Sequence, residues 1–278
     1  MSGGHLCSAE APTEAAAETS VPSRNGILQF FKYTENKMTG TKIKWECTVN
    51  DNTGGLPVII VAAGSSTRMG TNKQFLEIGS IPVIARTLMA FQNCEAISRI
   101  ILVTRAEDIF TLQTMASNYG ITKLTDILCG GDNRQQSVLN GFERLSKDEK
   151  SVLIHDGARP LVSNRVICAV AEKLENCQAV TCAVKVKDTI KQVDKDGKVV
   201  KTLLRDSLVS VQTPQGVKVD EYLSAVKEIK DISLLTDDMS VMETAGYTVY
   251  TVEGDYKNIK ITTPEDIPAA IAFLEDEE

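Results

Sequence analysis

From Leu56 onward the chain alternates short apolar runs with amphipathic stretches. Residues 58–63 are β-branched or small at every position and lie between Pro57 and Gly64. A run that is apolar at consecutive positions predicts a strand buried on both faces, as in a parallel sheet. Ser80 and Pro82 then predict a helix start, with Ile84, Leu88 and Phe91 on one face. A strand over 99–104, a helix over 106–119 stopped by Gly120 and a strand over 126–129 follow. Asp132 and Gln135 have capping-box spacing ahead of a helix through Leu145. Residues 151–155 and 179–186 read as strands, with a Ser163-capped helix to about Glu175 between them. Residues 187–204 break the rhythm: two polar β-like segments flank Asp194-Lys195-Asp196-Gly197, a hairpin turn signal. A hairpin this polar is expected to project as an arm. The remainder reads as a strand over 208–212, helices over 219–229 and 238–244, a strand over 247–252 and a strand-like segment over 258–261. A last helix is announced by Thr263-Pro264-x-Asp266.

Repeated strand–helix units with short joints imply an α/β fold, a mostly parallel sheet with helices on both faces. Ligands in such sheets bind beyond the carboxyl ends of the strands. Three polar clusters follow strands directly: the loop after residue 63, Gly130-Gly131-Asp132, and residues 155–160. Upstream, residues 1–25 have almost no apolar side chains and are expected to be disordered. Residues 26–55 carry a small apolar cluster and are expected to be a weakly ordered extension without a catalytic role. The α/β domain would then span 56–278, with the arm at about 187–207.

The 278 residues carry a net charge of −7, which argues against a nucleic-acid or anionic-membrane binder. No apolar run approaches the roughly 18 residues that a spanning helix needs. Seven cysteines form no Cys-x-x-Cys pair, and only two histidines accompany them, so a zinc cluster is not expected. Thiols set in apolar runs suit a reducing cytoplasm, and no secretory or transit signal is legible at the N-terminus.

The first polar loop combines Gly64, Ser65, Ser66 and Thr67 with Arg68 and Lys73. Small residues let backbone N–H groups approach an anion, and the cations add fixed charge, so a triphosphate cradle and a plain solvated turn both fit. The spacing matches neither a P-loop nor a dinucleotide fingerprint. Gly130-Gly131-Asp132-x-Arg134 opens a helix N-terminus, where free N–H groups meet phosphate, ribose or base, or merely form a capped turn. Asp156 ends a buried strand and is placed to hold Mg²⁺ against phosphate oxygens, or else to pair with Arg159. His155 reads as a packed strand residue. Lys260 stands out as a cation inside an apolar segment, and residues 212–215 read as a turn.

VAAGSSTRMG, NKQFL, GGDNRQQSV, HDGARP, VKDTI, QTPQG, TDDMSVME and NIKITTPED occur in that order. Together, over roughly residues 56–275, they make a chain that resembles the 2-C-methyl-D-erythritol 4-phosphate cytidylyltransferase family. The loop between Arg68 and Lys73 looks shorter than in some members, and Gly157 stands where alanine is frequent. The resemblance implies a Rossmann-like nucleotidyltransferase fold and a homodimer in which protruding arms reach the partner's site. It implies that Arg68 and Lys73 bind the CTP triphosphate and stabilise the transition state. Ala62, Ala63, Gly64, Gly131, Asp132 and Ser137 would surround the cytidine, with Arg159 in the same binding set, and Asp156 would hold Mg²⁺. Arg205 and Lys260 would position the sugar phosphate, helped by Thr189, Thr213 and Asp237. A ribitol 5-phosphate cytidylyltransferase shares most of these motifs. A non-catalytic nucleotide-binding relative is a third reading, disfavoured by the completeness of the charged set.

Overall fold

The computed structural model describes residues 54–64 and 72–275, together with one two-residue antiparallel pair, β1 (Glu18–Thr19) with β2 (Phe31–Lys32). The expectations for residues 1–53 and for the loop carrying Arg68 otherwise lie outside the described residues. Residues 1–46 and 47–278 form separate compact units, and the second holds everything below.

That unit runs β3 (Leu56–Val61), β4 (Glu77–Ile78), β5 (Ile81–Pro82), α1 (Val83–Gln92), β6 (Ile97–Thr104), α2 (Ile109–Asn118), β7 (Leu124–Cys129) and α3 (Arg134–Phe142). It continues with β8 (Ser151–Asp156), α4 (Asn164–Leu174), β9 (Ala179–Lys185), β10 (Lys191–Val193), β11 (Val199–Thr202) and β12 (Val209–Lys218). Last come α5 (Val219–Glu228), α6 (Asp238–Thr244), β13 (Val249–Glu253) and α7 (Asp266–Glu275). The main sheet has the order β13-β9-β12-β8-β3-β6-β7. All neighbours are parallel except β12, which runs against both β8 and β9.

Alternation within the apolar runs splits the core in two. Val58, Ile60, Ile100 and Leu102 face α1, α2 and α4, whereas Ile59, Ile101 and Val103 face α3, α5 and α6. Both faces are dry, which is why these strands carry no polar alternation. Val61 pairs with Val103 and Asp156, and Thr104 with Cys129, so β3, β6, β7 and β8 end on one edge.

Several local expectations are corrected. Ser80 does not cap α1. It sits at φ 63° in the turn between β4 and β5, and Pro82 rather than Ser80 precedes the helix. Asn133, not Asp132, caps α3 by accepting from Gln136 N at 2.8 Å. Residues 212–215 are no turn but buried strand within β12, with a cis Thr213–Pro214 bond and a register shift against β9. Residues 258–261 form no strand; Ile261 N bonds Ala158 O instead. Helix α7 starts at Asp266, whose carboxylate reaches back to accept from Thr262 and Thr263 N. The polar hairpin is β10–β11, a two-stranded sheet paired only with itself among the described residues and exposed along its length. Asp194 closes its turn and Gly197 takes φ 81° there, a value that favours glycine.

Candidate active site

Beyond the carboxyl ends of β3, β7 and β8 lies a cavity of about 370 Å³, within the range of small-molecule pockets, about 300–1,000 Å³. Ala62, Ala63 and Gly64 form one wall as β3 ends, and Gly131, Asp132 and Ser137 form another where β7 passes into α3. The two walls meet closely: a Cβ on Gly130 would stand 2.3 Å from the Ala63 Cβ, so only glycine fits. Ser137 Oγ accepts from Gly131 N and donates to Asn133 O, which pins the turn.

Asp156, Lys73 and Lys260 complete the cavity from three distant parts of the chain. Lys73 begins a short 3-10 turn over Lys73–Phe75 capped by Asn72, and its Nζ donates to Ile261 O at 3.0 Å. Lys260 Nζ lies 2.9 Å from Asp156 Oδ2. Arg134 Nε stands 3.5 Å from Asp156 Oδ1, and Arg159 Nε 3.4 Å from Oδ2. Burial opposes charge on this carboxylate, yet Lys260, Arg134 and Arg159 outweigh it and hold Asp156 ionised well below the usual carboxylate range.

The backing of Asp156 is built by antiparallel β12. Thr213 Oγ1 accepts from Asp156 N at 3.1 Å and lies 3.0 Å from His155 Nδ1. The carbonyl of Arg159, 3.2 Å from Nε2, can only accept, so Nε2 carries the proton of the neutral ring and Thr213 donates to Nδ1. Burial, the largest influence, lowers the His155 pKa to about 3, so the ring is neutral and serves as a strut.

Of the residues singled out from the sequence, Ala62, Ala63, Gly64, Lys73, Gly131, Asp132, Ser137, Asp156 and Lys260 share the cavity. Arg159 and Thr213 stand behind it, bonded to Asp156 and to Asn258 O or His155. Asp237 caps α6 through Ser240 N and receives Gln215 Nε2 at 2.8 Å. Thr189 and Arg205 are exposed at the root of the arm, where Arg205 bonds Lys187 O at 3.2 Å. Arg68 lies outside the described residues. Arg134 lines the cavity and was not assigned a role from the sequence. Its signal was a cation at the first residue of a helix, where the macrodipole favours anions.

Fixed cations around an ionised carboxylate, at the rim of a mostly parallel sheet and beside glycine-rich turns, make a pocket suited to a phosphorylated ligand, and similarity to known proteins places the chain in the nucleotidyltransferase class. Residues 56–276 match the model of the 2-C-methyl-D-erythritol 4-phosphate cytidylyltransferase family. Curated relatives of that name include one from Clostridium novyi, 45% identical over 222 residues, covering 78% of this chain and 96% of the relative. Another, from Bacillus licheniformis, is 43% identical and covers 79% of this chain and 96% of its own. A solved 4-diphosphocytidyl-2C-methyl-D-erythritol synthase from Anaerococcus prevotii superposes with a TM-score of 0.71 at 32% identity, covering 80% of this chain and 96% of that one. The chain belongs to the 2-C-methyl-D-erythritol 4-phosphate cytidylyltransferase family. Among the described residues no helix is long and apolar enough to cross a membrane.

Proposed function

We propose that the protein transfers CMP from CTP to 2-C-methyl-D-erythritol 4-phosphate, giving 4-diphosphocytidyl-2-C-methyl-D-erythritol and pyrophosphate. The observation that carries this reading is the convergence of Lys73, Asp156 and Lys260 on one cavity beside the Gly131–Ser137 turn. The nucleophile is a phosphate oxygen of the sugar phosphate, already anionic at neutral pH, so no general base is required. It attacks the α-phosphorus of CTP in line; the new P–O bond forms as the bond to pyrophosphate breaks. Charge gathers on the transferring group and its leaving oxygen, and Lys73 with Arg68 neutralises it. Lys260 and, from a partner's arm, Arg205 hold the sugar phosphate, with Thr189, Thr213 and Asp237 in support. The walls of Ala62, Ala63, Gly64, Gly131, Asp132 and Ser137 take the cytidine, and Arg159 keeps Asp156 in place.

Asp156 fits a magnesium ion: it is one hard, ionised oxygen donor facing the phosphate cavity. Among the described residues it belongs to no cluster of three metal-ligating side chains, so the triphosphate and water would complete the shell. Bound there, Mg²⁺ would supply further neutralisation of the phosphate oxygens.

A homodimer is supported by the exposed apolar side chains of the arm, among them Val193, Val199, Val200 and Leu204. Cysteines set in apolar surroundings, such as Cys94 and Cys168, whose sulfurs share a weak hydrogen bond at 3.9 Å, support a cytoplasmic site of action. Residues 1–55 are read as an extension outside the catalytic domain.

Pyrophosphate release from CTP, measured side by side with methylerythritol 4-phosphate and ribitol 5-phosphate, tests the assignment. The expected result is release with the first at a far higher kcat/KM. Preference for ribitol 5-phosphate would reassign the acceptor, and release with neither would remove the activity.

A further inference from the structure

The guanidinium of Arg134 is held from behind by groups that the reaction itself does not use. Its Nη2 lies 2.8 Å from Oδ2 of Asp238, a residue with no exposed surface. Tyr222, equally buried, donates its hydroxyl to Asp238 Oδ1 at 2.9 Å. The Tyr222 ring in turn stacks on Phe142 at the far end of α3, with centroids 4.7 Å apart. Asp238 N is fixed separately, donating to Gln215 Oε1 at 3.1 Å. Three elements, α3, α5 and α6, thus converge on one charge pair.

Stability gives a weak reason for this arrangement. Stripping water from a buried ion pair costs several kcal/mol per ion, and apolar replacements of similar volume often do as well. Placement gives a stronger one. Arg134 lines the cavity beside Gly131, Asp132 and Asn133, and its Nη1 is buried without a hydrogen-bond partner. The other carboxylate in reach is Asp156, and Asp238 pulls the guanidinium from the opposite side. Without Asp238, Arg134 would collapse onto Asp156 and compete there with Lys260.

We propose that Asp238 and Tyr222 are a positioning pair that holds Arg134 in place for the nucleotide and away from full contact with Asp156. The proposal rests on the cytidylyltransferase reading for the identity of that nucleotide. Asp238→Asn removes the charge and keeps the shape; Tyr222→Phe removes only the hydroxyl and keeps the stacked ring. Calorimetric titration of each full-length variant with CTP in magnesium buffer, without polyol phosphate, reads the effect directly. Asp238→Asn is expected to weaken CTP binding about tenfold, through loss of the ion pair's charge, and Tyr222→Phe about threefold, through loss of one hydrogen bond to that carboxylate. KM for the polyol phosphate should stay within about twofold of wild type, because its proposed contacts, Lys260 and Arg205, are untouched. In an Arg134→Met background, Asp238→Asn should weaken CTP binding by less than about twofold more, since a pair acting through one residue is non-additive. Full additivity, or unchanged CTP affinity in both folded single variants, overturns the proposal. Wild-type protein that binds CTP yet releases no pyrophosphate with either polyol phosphate would sink the proposed reaction and leave this binding test standing.

Discussion

Single residues carry the charge logic of the site. Lys73→Ala is expected to lower kcat by at least about a hundredfold, the scale of losing one preorganised electrostatic contact, while thermal unfolding stays near wild type. Wild-type turnover in that variant would remove Lys73 from the mechanism. His155 sets a pH dependence of another kind. Its folded pKa, about 3, lies below the ordinary histidine value of 6.5, so the unfolded chain binds the extra proton first. The stability due to its neutral burial is complete above pH 6.5 and declines as pH falls toward 3. Between pH 7 and 5 this amounts to about 2 kcal/mol. Asp156, also held low, adds a loss of the same sign only in stronger acid. Urea midpoints at pH 7 and 5 should show the decline, and His155→Asn should flatten it. The charged residues of the site were picked out through the family resemblance, since each alone reads equally as a solvated charge or, for Asp156, as the partner of Arg159 that it also is. Arg134 was visible but unread. Asp238 and Tyr222 were invisible, since nothing along the chain says that α5 and α6 close behind α3.

Among the elements, the strand–helix succession was readable from apolar runs because both sheet faces are covered. Ends and caps were less so. The spacing at Asp132 fits a capping box as well as the true cap at Asn133 does, one residue on. β12 was the larger miss. Its Thr213-Pro214 step has the composition of a turn, yet the surrounding strands force it through the core, where Thr213 supports Asp156. The seat of α3 on β3 gives an element-level prediction. A Cβ on Gly141 would stand 2.6 Å from Ile59 Cγ2, so Gly141→Ala should cost about 1–3 kcal/mol by overpacking. Chemical denaturation checks this, and an unchanged midpoint would mean that α3 can shift without cost.

For the whole molecule, the proposed dimer makes a complementation test possible. Lys73→Ala and Arg205→Ala should each be impaired as homodimers, the second mainly in its use of the polyol phosphate. Verified mixed dimers of the two should recover activity, up to about a quarter to a half of wild type if arms serve the opposite site; no recovery would place Arg205 in its own chain's site. The chain's negative balance coexists with a cavity in which Lys260 is already matched to Asp156 and Lys73 to the Ile261 carbonyl. An arriving phosphate therefore meets no bare, fully hydrated ammonium. In the proposed reaction, a phosphate that draws Lys260 from Asp156 would trade one counterion for another instead of stripping water from a free charge.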